Sequence, residues 1–217
     1  MIASSKEKYS KIETNKFVFL DSFSHLNSKL ETLAENLRAK GEEYFSFVSN
    51  EFPVSEEFQL CLQKLIYPYS YMDSFEKFNE PIPSIEHFYN DLNEEELDQE
   101  EYKRLQETCI KFGITNLGQL HDLYLKIDVC LLASVFEFYR IMGLEEYGLD
   151  PAFYISAPSF SWDAMLLNTN VELELLQDRN LYTFFEKGRR GTIFVLIKSI
   201  IIIQMVYVAV QNSKFLV

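Results

Sequence analysis

Apolar positions recur along most of the chain at three- and four-residue intervals, which predicts a mainly helical body with few strands and no internal repeat. Phe17-Val18-Phe19-Leu20 reads as a short buried strand that ends at Asp21-Ser22. Leu30, Leu33, Ala34 and Leu37 share one helical face behind a capping box from Ser28 to Glu31, and the helix stops near Gly41. Ser55 caps a second helix through residue 66, with Phe58, Cys61, Leu62 and Leu65 on one face, and Pro68 ends it. Residues 67–71 form an aromatic loop and 79–83 an extended connector. Ser84 caps a short helix to residue 92, and a box from Asp98 to Glu101 opens a helix that Gly113 closes. A longer helix is predicted from about 117 to 142, with Gly143 as its stop. Residues 148–161 read as loop, Trp162 opens a short apolar helix as a core anchor, and Asp178 caps another that runs to Gly188.

The longest helix carries a chemical signal. At 100° per residue, Leu120, Ile127, Leu131, Val135 and Phe138 fall within about 60° of Tyr124. Asp128 falls at about 40°, inside that apolar arc. Gln119, Asp122, Lys126, Glu137 and Arg140 lie opposite. A carboxylate on a core-facing arc is costly unless it is paired, hydrogen-bonded or bound to metal. Two readings stand. Asp128 is a buried carboxylate satisfied by a neighbouring hydroxyl or backbone amide, or it belongs to a Y-x-x-x-D metal motif. In the second reading it holds a divalent ion while Tyr124 orients the attacking water.

Charge narrows the function classes. The chain has 217 residues and a mass of 25.5 kDa, which fits one or two domains. Apolar residues make up 47% and charged residues 24%, an ordinary globular composition. With 20 basic and 33 acidic residues the net charge is −13, so the whole-chain basic footprint of a free-standing DNA-binding module is missing. A fragment of a larger nucleic-acid enzyme stays open. Residues 80–108 hold ten carboxylates against Lys103 and Arg104, whereas 187–217 hold five basic residues and no acid. That shift points to a change of origin or environment near residue 190.

Cys61, Cys109 and Cys130 are odd in number and lack C-x-x-C spacing, against a disulfide framework or a cysteine zinc site. The first residues lack the apolar stretch of a signal peptide. Together these lead us to expect an intracellular protein, in nucleus or cytoplasm. His25, His87 and His121 are far apart and without zinc-ligand spacing. No Ser-His-Asp order, G-x-S-x-G, P-loop or G-x-G-x-x-G is present. Glu94-Glu95-Glu96 reads as a solvated run.

The run His121-Asp122-Leu123-Tyr124-Leu125-Lys126-Ile127-Asp128-Val129-Cys130-Leu131-Leu132-Ala133 resembles the third exonuclease motif of family B DNA polymerases. It is most similar to the protein-primed branch, found in Polinton/Maverick-type transposons, adenoviruses and linear organellar plasmids. Phe19-Leu20-Asp21-Ser22 with its capped helix resembles the segment before that motif. Tyr67-Pro68-Tyr69-Ser70-Tyr71-Met72-Asp73-Ser74 is similar to a tyrosine-rich element of the transposon polymerases. Tyr147-Gly148-Leu149-Asp150-Pro151 and Ser161-Trp162-Asp163-Ala164-Met165-Leu166 resemble the link from exonuclease to palm. The resemblance covers roughly residues 15–192, with its motifs in the family's order.

The resemblance implies an α/β fold of the RNase H-like class, mostly helical in an incomplete fragment. Residues 1–143 would be the C-terminal part of the 3′–5′ exonuclease domain, 144–191 the connection to the palm, and 192–217 a divergent apolar tail. It also implies Tyr124 and Asp128 as catalytic residues, Asp128 as a ligand of Mg²⁺, and a DNA primer-template and a terminal protein as partners. Glu186-Lys187-Gly188-Arg189-Arg190-Gly191 resembles the lead-in to a loop that contacts single-stranded DNA, which assigns Arg189, Arg190 and Gly191 to nucleic acid. The competing account gives the two arginines a dipole-complementing role at a helix end.

Other family parts are missing. No Asp-x-Glu lies on an N-terminal strand, and Asp98-Gln99-Glu100 sits at a helix start where capping explains it. D-x-x-S-L-Y-P, K-x-x-x-N-S-x-Y-G and Y-x-D-T-D-S are all absent, so neither palm aspartate exists. The expectation is a truncated DNA-directed DNA polymerase, inactive alone. The alternative is an acidic helical interaction protein whose C-terminal segment anchors it to a membrane. Eighteen residues from Ile193, with Lys198, Ser199 and Gln204 among them, read as a transmembrane helix, a pair of β-branched strands, or a non-homologous tail.

Overall fold

Asn116 starts the element that organises the molecule. Its side chain accepts a hydrogen bond from the Gln119 amide at 2.9 Å, capping the 31-residue helix Leu117–Tyr147. The computed structural model describes residues 2–3, 9–89, 94, 96–173 and 176–188. It divides the chain into two units, Met1–Ala157 and Pro158–Val217.

In the first unit, three short antiparallel strands in the order β1-β2-β3 (Ile2–Ala3, Tyr9–Glu13, Val18–Leu20) precede the helices α1 (Leu30–Arg38), α2 (Ser46–Glu51), α3 (Ser55–Cys61), α4 (Gln99–Phe112) and α5 (Leu117–Tyr147). Helices α1 and α2 pack on α5. Leu117, Leu120, Ile127 and Leu131 are fully buried there, with Phe45 and Val48 from the α2 region, Cys61 and Leu62 from the end of α3, and Leu105 from α4. The helical arc read around Tyr124 is therefore the core face of α5.

Several local expectations change. Gly143 does not stop α5, which runs on to Gly148, left-handed at φ +68°. A side chain at Gly143 would begin 2.6 Å from the Pro151 ring, so this glycine serves close approach. The strand at 18–20 forms, but it is not buried: Phe17, Val18 and Phe19 are more than half exposed. Lys29, Val54 and Asp98 occupy the N-cap positions of α1, α3 and α4, none with a side-chain cap bond, so the boxes at Ser28 and Asp98 and the Ser55 cap do not form. Helix α3 ends at Cys61 instead of reaching residue 66. Arg104 there donates to the Lys64 carbonyl at 2.9 Å and to the Gln63 side chain, tertiary bonds that replace a helical path.

Other stops agree with their chemistry. Gly113 closes α4 at φ +65°, with Ile114 N–H reaching the Cys109 carbonyl at 2.8 Å in a Schellman arrangement. The helix read from Ser84 to residue 92 is instead the single turn Ile85–Phe88, with no cap bond from the Ser84 side chain and a non-helical Tyr89 after it. After α5, Asp150 caps the turn Pro151–Phe153 and takes a two-pronged bond from Arg140 (2.6 and 3.0 Å), whose guanidinium also meets Glu137 at 2.8 Å. The Arg140 guanidinium holds the Asp150 carboxyl below its ordinary range.

The second unit contains α6 (Ala157–Thr169) and α7 (Arg179–Gly188). Helix α6 starts before Trp162, which lies in its middle and is 40% exposed instead of anchoring a core. Asp178 caps α7 as read from the sequence, accepting from the Asn180 and Leu181 amides at 2.7 and 3.0 Å. Among the described residues no helix is long and apolar enough to cross a membrane. The apolar run from Ile193 lies outside the described residues.

A tyrosine cluster on the Asp128 helix

Tyr124 and Asp128 stand one turn apart on the core side of α5. Segment 62–72 crosses the helix at this point. It is held by Arg104, by the buried ring of Pro68, and by a turn in which Met72 N–H reaches the Pro68 carbonyl at 3.1 Å. That crossing lays Tyr67 on Tyr124, with stacked rings 5.0 Å apart, and sets Tyr69 edge-on to it at 5.9 Å. The Tyr69 and Tyr124 hydroxyls are hydrogen-bonded to each other. His121 Nδ1 bonds the Tyr67 hydroxyl at 3.1 Å, and Phe78 packs on the imidazole at 5.0 Å. Lys64 Nζ stands 6.0 Å from the centre of the Tyr124 ring, at the outer limit of a cation–π contact.

The electrostatics of the pair follow from this packing. Burial first, then hydrogen bonding to Asp128 and to Tyr69, push the Tyr124 phenol far above its ordinary range. Tyr124 therefore keeps its proton and cannot serve as a base near neutral pH. In the bond between the Tyr69 and Tyr124 hydroxyls either oxygen can be the donor. Asp128 Oδ1 remains buried and without a hydrogen-bond partner.

Both sequence readings of Asp128 thus keep a physical basis. A phenol stands one turn away on the same face, and one carboxylate oxygen is buried without a partner, as a cation ligand would be. A two-metal centre needs several carboxylates to clamp the attacking and leaving oxygens. Among the described residues no group of three His, Cys, Asp or Glu stands together. Asp21 is engaged locally, accepting from Phe23 N–H at 3.1 Å and from the Ser24 hydroxyl at 3.2 Å. The donor set at Asp128 is one carboxylate beside phenols, which does not fit the two-Mg²⁺ site that the resemblance implies. No reaction step is derived through such ions.

Tyr124 and Asp128 come together as the helical spacing required. Arg189, Arg190 and Gly191, assigned to nucleic acid, lie outside the described residues. Lys64, Tyr69 and His121 were not singled out as members of the site. His121 carried a usable signal, since it opens the same motif one turn before Tyr124. Tyr69 lies 55 residues from Tyr124, and only the fold reveals their contact. Neither a protein-family model, nor a curated protein, nor a solved structure matches this chain.

Proposed function

We propose that this chain is a fragment of a protein-primed family B DNA polymerase, from the late part of its proofreading exonuclease, and that it is inert alone. The observation that carries this reading is the meeting of two separated segments. The tyrosine-rich element at 67–74 and the Y-x-x-x-D helix resemble the same family independently, and Tyr67 and Tyr69 pack directly on Tyr124. In the parent enzyme Asp128 would be one of several carboxylates holding Mg²⁺, the others being supplied from outside the described residues. Tyr124, one turn before Asp128 on the same face, would stand beside that ligand with its phenol neutral. DNA and a terminal protein would be partners of the parent polymerase.

As a direct test, the purified chain should neither extend a primer nor degrade a labelled 3′ end with Mg²⁺ or Mn²⁺. Metal-dependent exonuclease activity abolished by Asp128→Ala would overturn the inert-fragment reading. Genomic sequence next to the coding region should encode D-x-x-S-L-Y-P downstream, and its absence from every frame would count against the family.

Binding to DNA should be weak and salt-sensitive. A net charge of −13 opposes phosphate approach, leaving local attraction to Arg189, Arg190 and nearby lysines. In fluorescence anisotropy with a single-stranded oligonucleotide we expect no submicromolar binding at physiological salt. Submicromolar affinity there would contradict this.

A further inference from the structure

Of residues 9–29, His25 alone is buried. The sheet before it is outward-facing, with Tyr9, Phe17, Val18 and Phe19 all substantially exposed. The His25 ring, 6% exposed, inserts edge-on against Phe136 at 5.7 Å and Tyr139 at 6.0 Å on α5. Its Nε2 lies 3.2 Å from the Tyr154 carbonyl, across 129 residues of sequence. A carbonyl only accepts, so Nε2 carries the proton and Nδ1 presents a lone pair. Nδ1 is buried with no partner.

We propose that His25 is a proton-operated anchor, which fastens the N-terminal segment to α5 and residue 154 when neutral and releases it when Nδ1 takes a proton. A protonated ring would place a charged N–H against apolar ring edges, with neither water nor an acceptor at Nδ1. The ionisable groups on the surrounding elements do little to offset this. Asp21, on the preceding turn, favours the charged ring, but its carboxylate already serves Phe23 N–H and the Ser24 hydroxyl. Tyr139 on α5 and Tyr154 after it carry phenols that stay neutral in acid. Arg140, next along α5, is committed to Asp150 and Glu137.

Burial is the leading effect on the imidazole and holds its pKa below the ordinary value, against the opposing pull of the Tyr154 carbonyl and Asp21. The released ring behaves as a free histidine with a pKa of about 6.5. The anchor is therefore at full strength above that pH, weakens as pH falls below it, and contributes nothing below the folded value.

Hydrogen exchange followed by mass spectrometry, corrected for intrinsic rates, tests the anchor on the full chain at pH 7.5 and pH 5.5. We expect protection of residues 9–24 to fall severalfold in acid while α5 keeps its protection. His25→Phe keeps a ring between Phe136 and Tyr139 without titrating, and should remove the pH response. If that variant fails to fold, His25→Gln can donate to the Tyr154 carbonyl and serves the same purpose. Unchanged protection in the wild type, a parallel loss across α5, or an undiminished response in the non-titrating variant would each overturn the proposal.

Discussion

Truncating Ile127 to alanine is expected to cost about 2–5 kcal/mol. Ile127 is fully buried on the face of α5 that meets α1 and α2, one residue before Asp128. Loss of its methyl groups removes dispersion contacts and leaves a cavity between helices that cannot close without shifting. Val129, two residues on, is 58% exposed on the opposite flank. Its replacement by alanine should stay within about 0.5 kcal/mol. Urea unfolding of the two variants decides the orientation of α5. Equal costs, or the larger cost at Val129, would mean that the tyrosine cluster is not on the core side.

Gly143→Ala should destabilise the fold by about 1–2 kcal/mol, the net of two opposing effects. In an ordinary helix interior, alanine gains about 1 kcal/mol over glycine. Here the added Cβ would start 2.6 Å from Pro151 Cδ and Cγ and 2.9 Å from the Leu149 carbonyl oxygen. A proline ring and a backbone carbonyl are poor at stepping aside, and the Arg140–Asp150 pair ties their turn back to α5. Gly143→Val should cost about 3 kcal/mol or more, since β-branching removes the propensity gain and adds bulk. Thermal midpoints of both variants measure this. A rise on Gly143→Ala would show that the close approach to Pro151 does not hold the turn.

Much of the helical frame was legible because side-chain periodicity is a local property. The arc around Tyr124, the stop at Gly113 and the cap at Asp178 needed only neighbours in sequence. Gly143 was misread because a glycine that ends a helix and one that admits a neighbouring ring look alike until the neighbour is known. Strand β1 has only two residues, and in β2 the apolar residues Tyr9 and Ile12 stand three apart instead of alternating, so neither shows a strand pattern. The end of α3 depends on Arg104, some 40 residues away. Asp128 stood out in the sequence because a carboxylate on an apolar arc violates a simple rule. Its surroundings, Tyr69 and Lys64 above all, come from a chain crossing that no spacing rule encodes.

The most direct measurement is the thermal midpoint of the wild type and of Asp128→Asn, each with and without millimolar Mg²⁺. Asp128 Oδ1 is buried without a partner, and no set of carboxylates surrounds it among the described residues. Asparagine keeps the size and one carbonyl oxygen while removing the carboxylate that a divalent ion would need. The account predicts a midpoint for Asp128→Asn equal to or above that of the wild type, with no Mg²⁺ shift in either protein. Stabilisation of the wild type by Mg²⁺, absent from Asp128→Asn, would mean that a working metal site survives and would contradict the inert-fragment account.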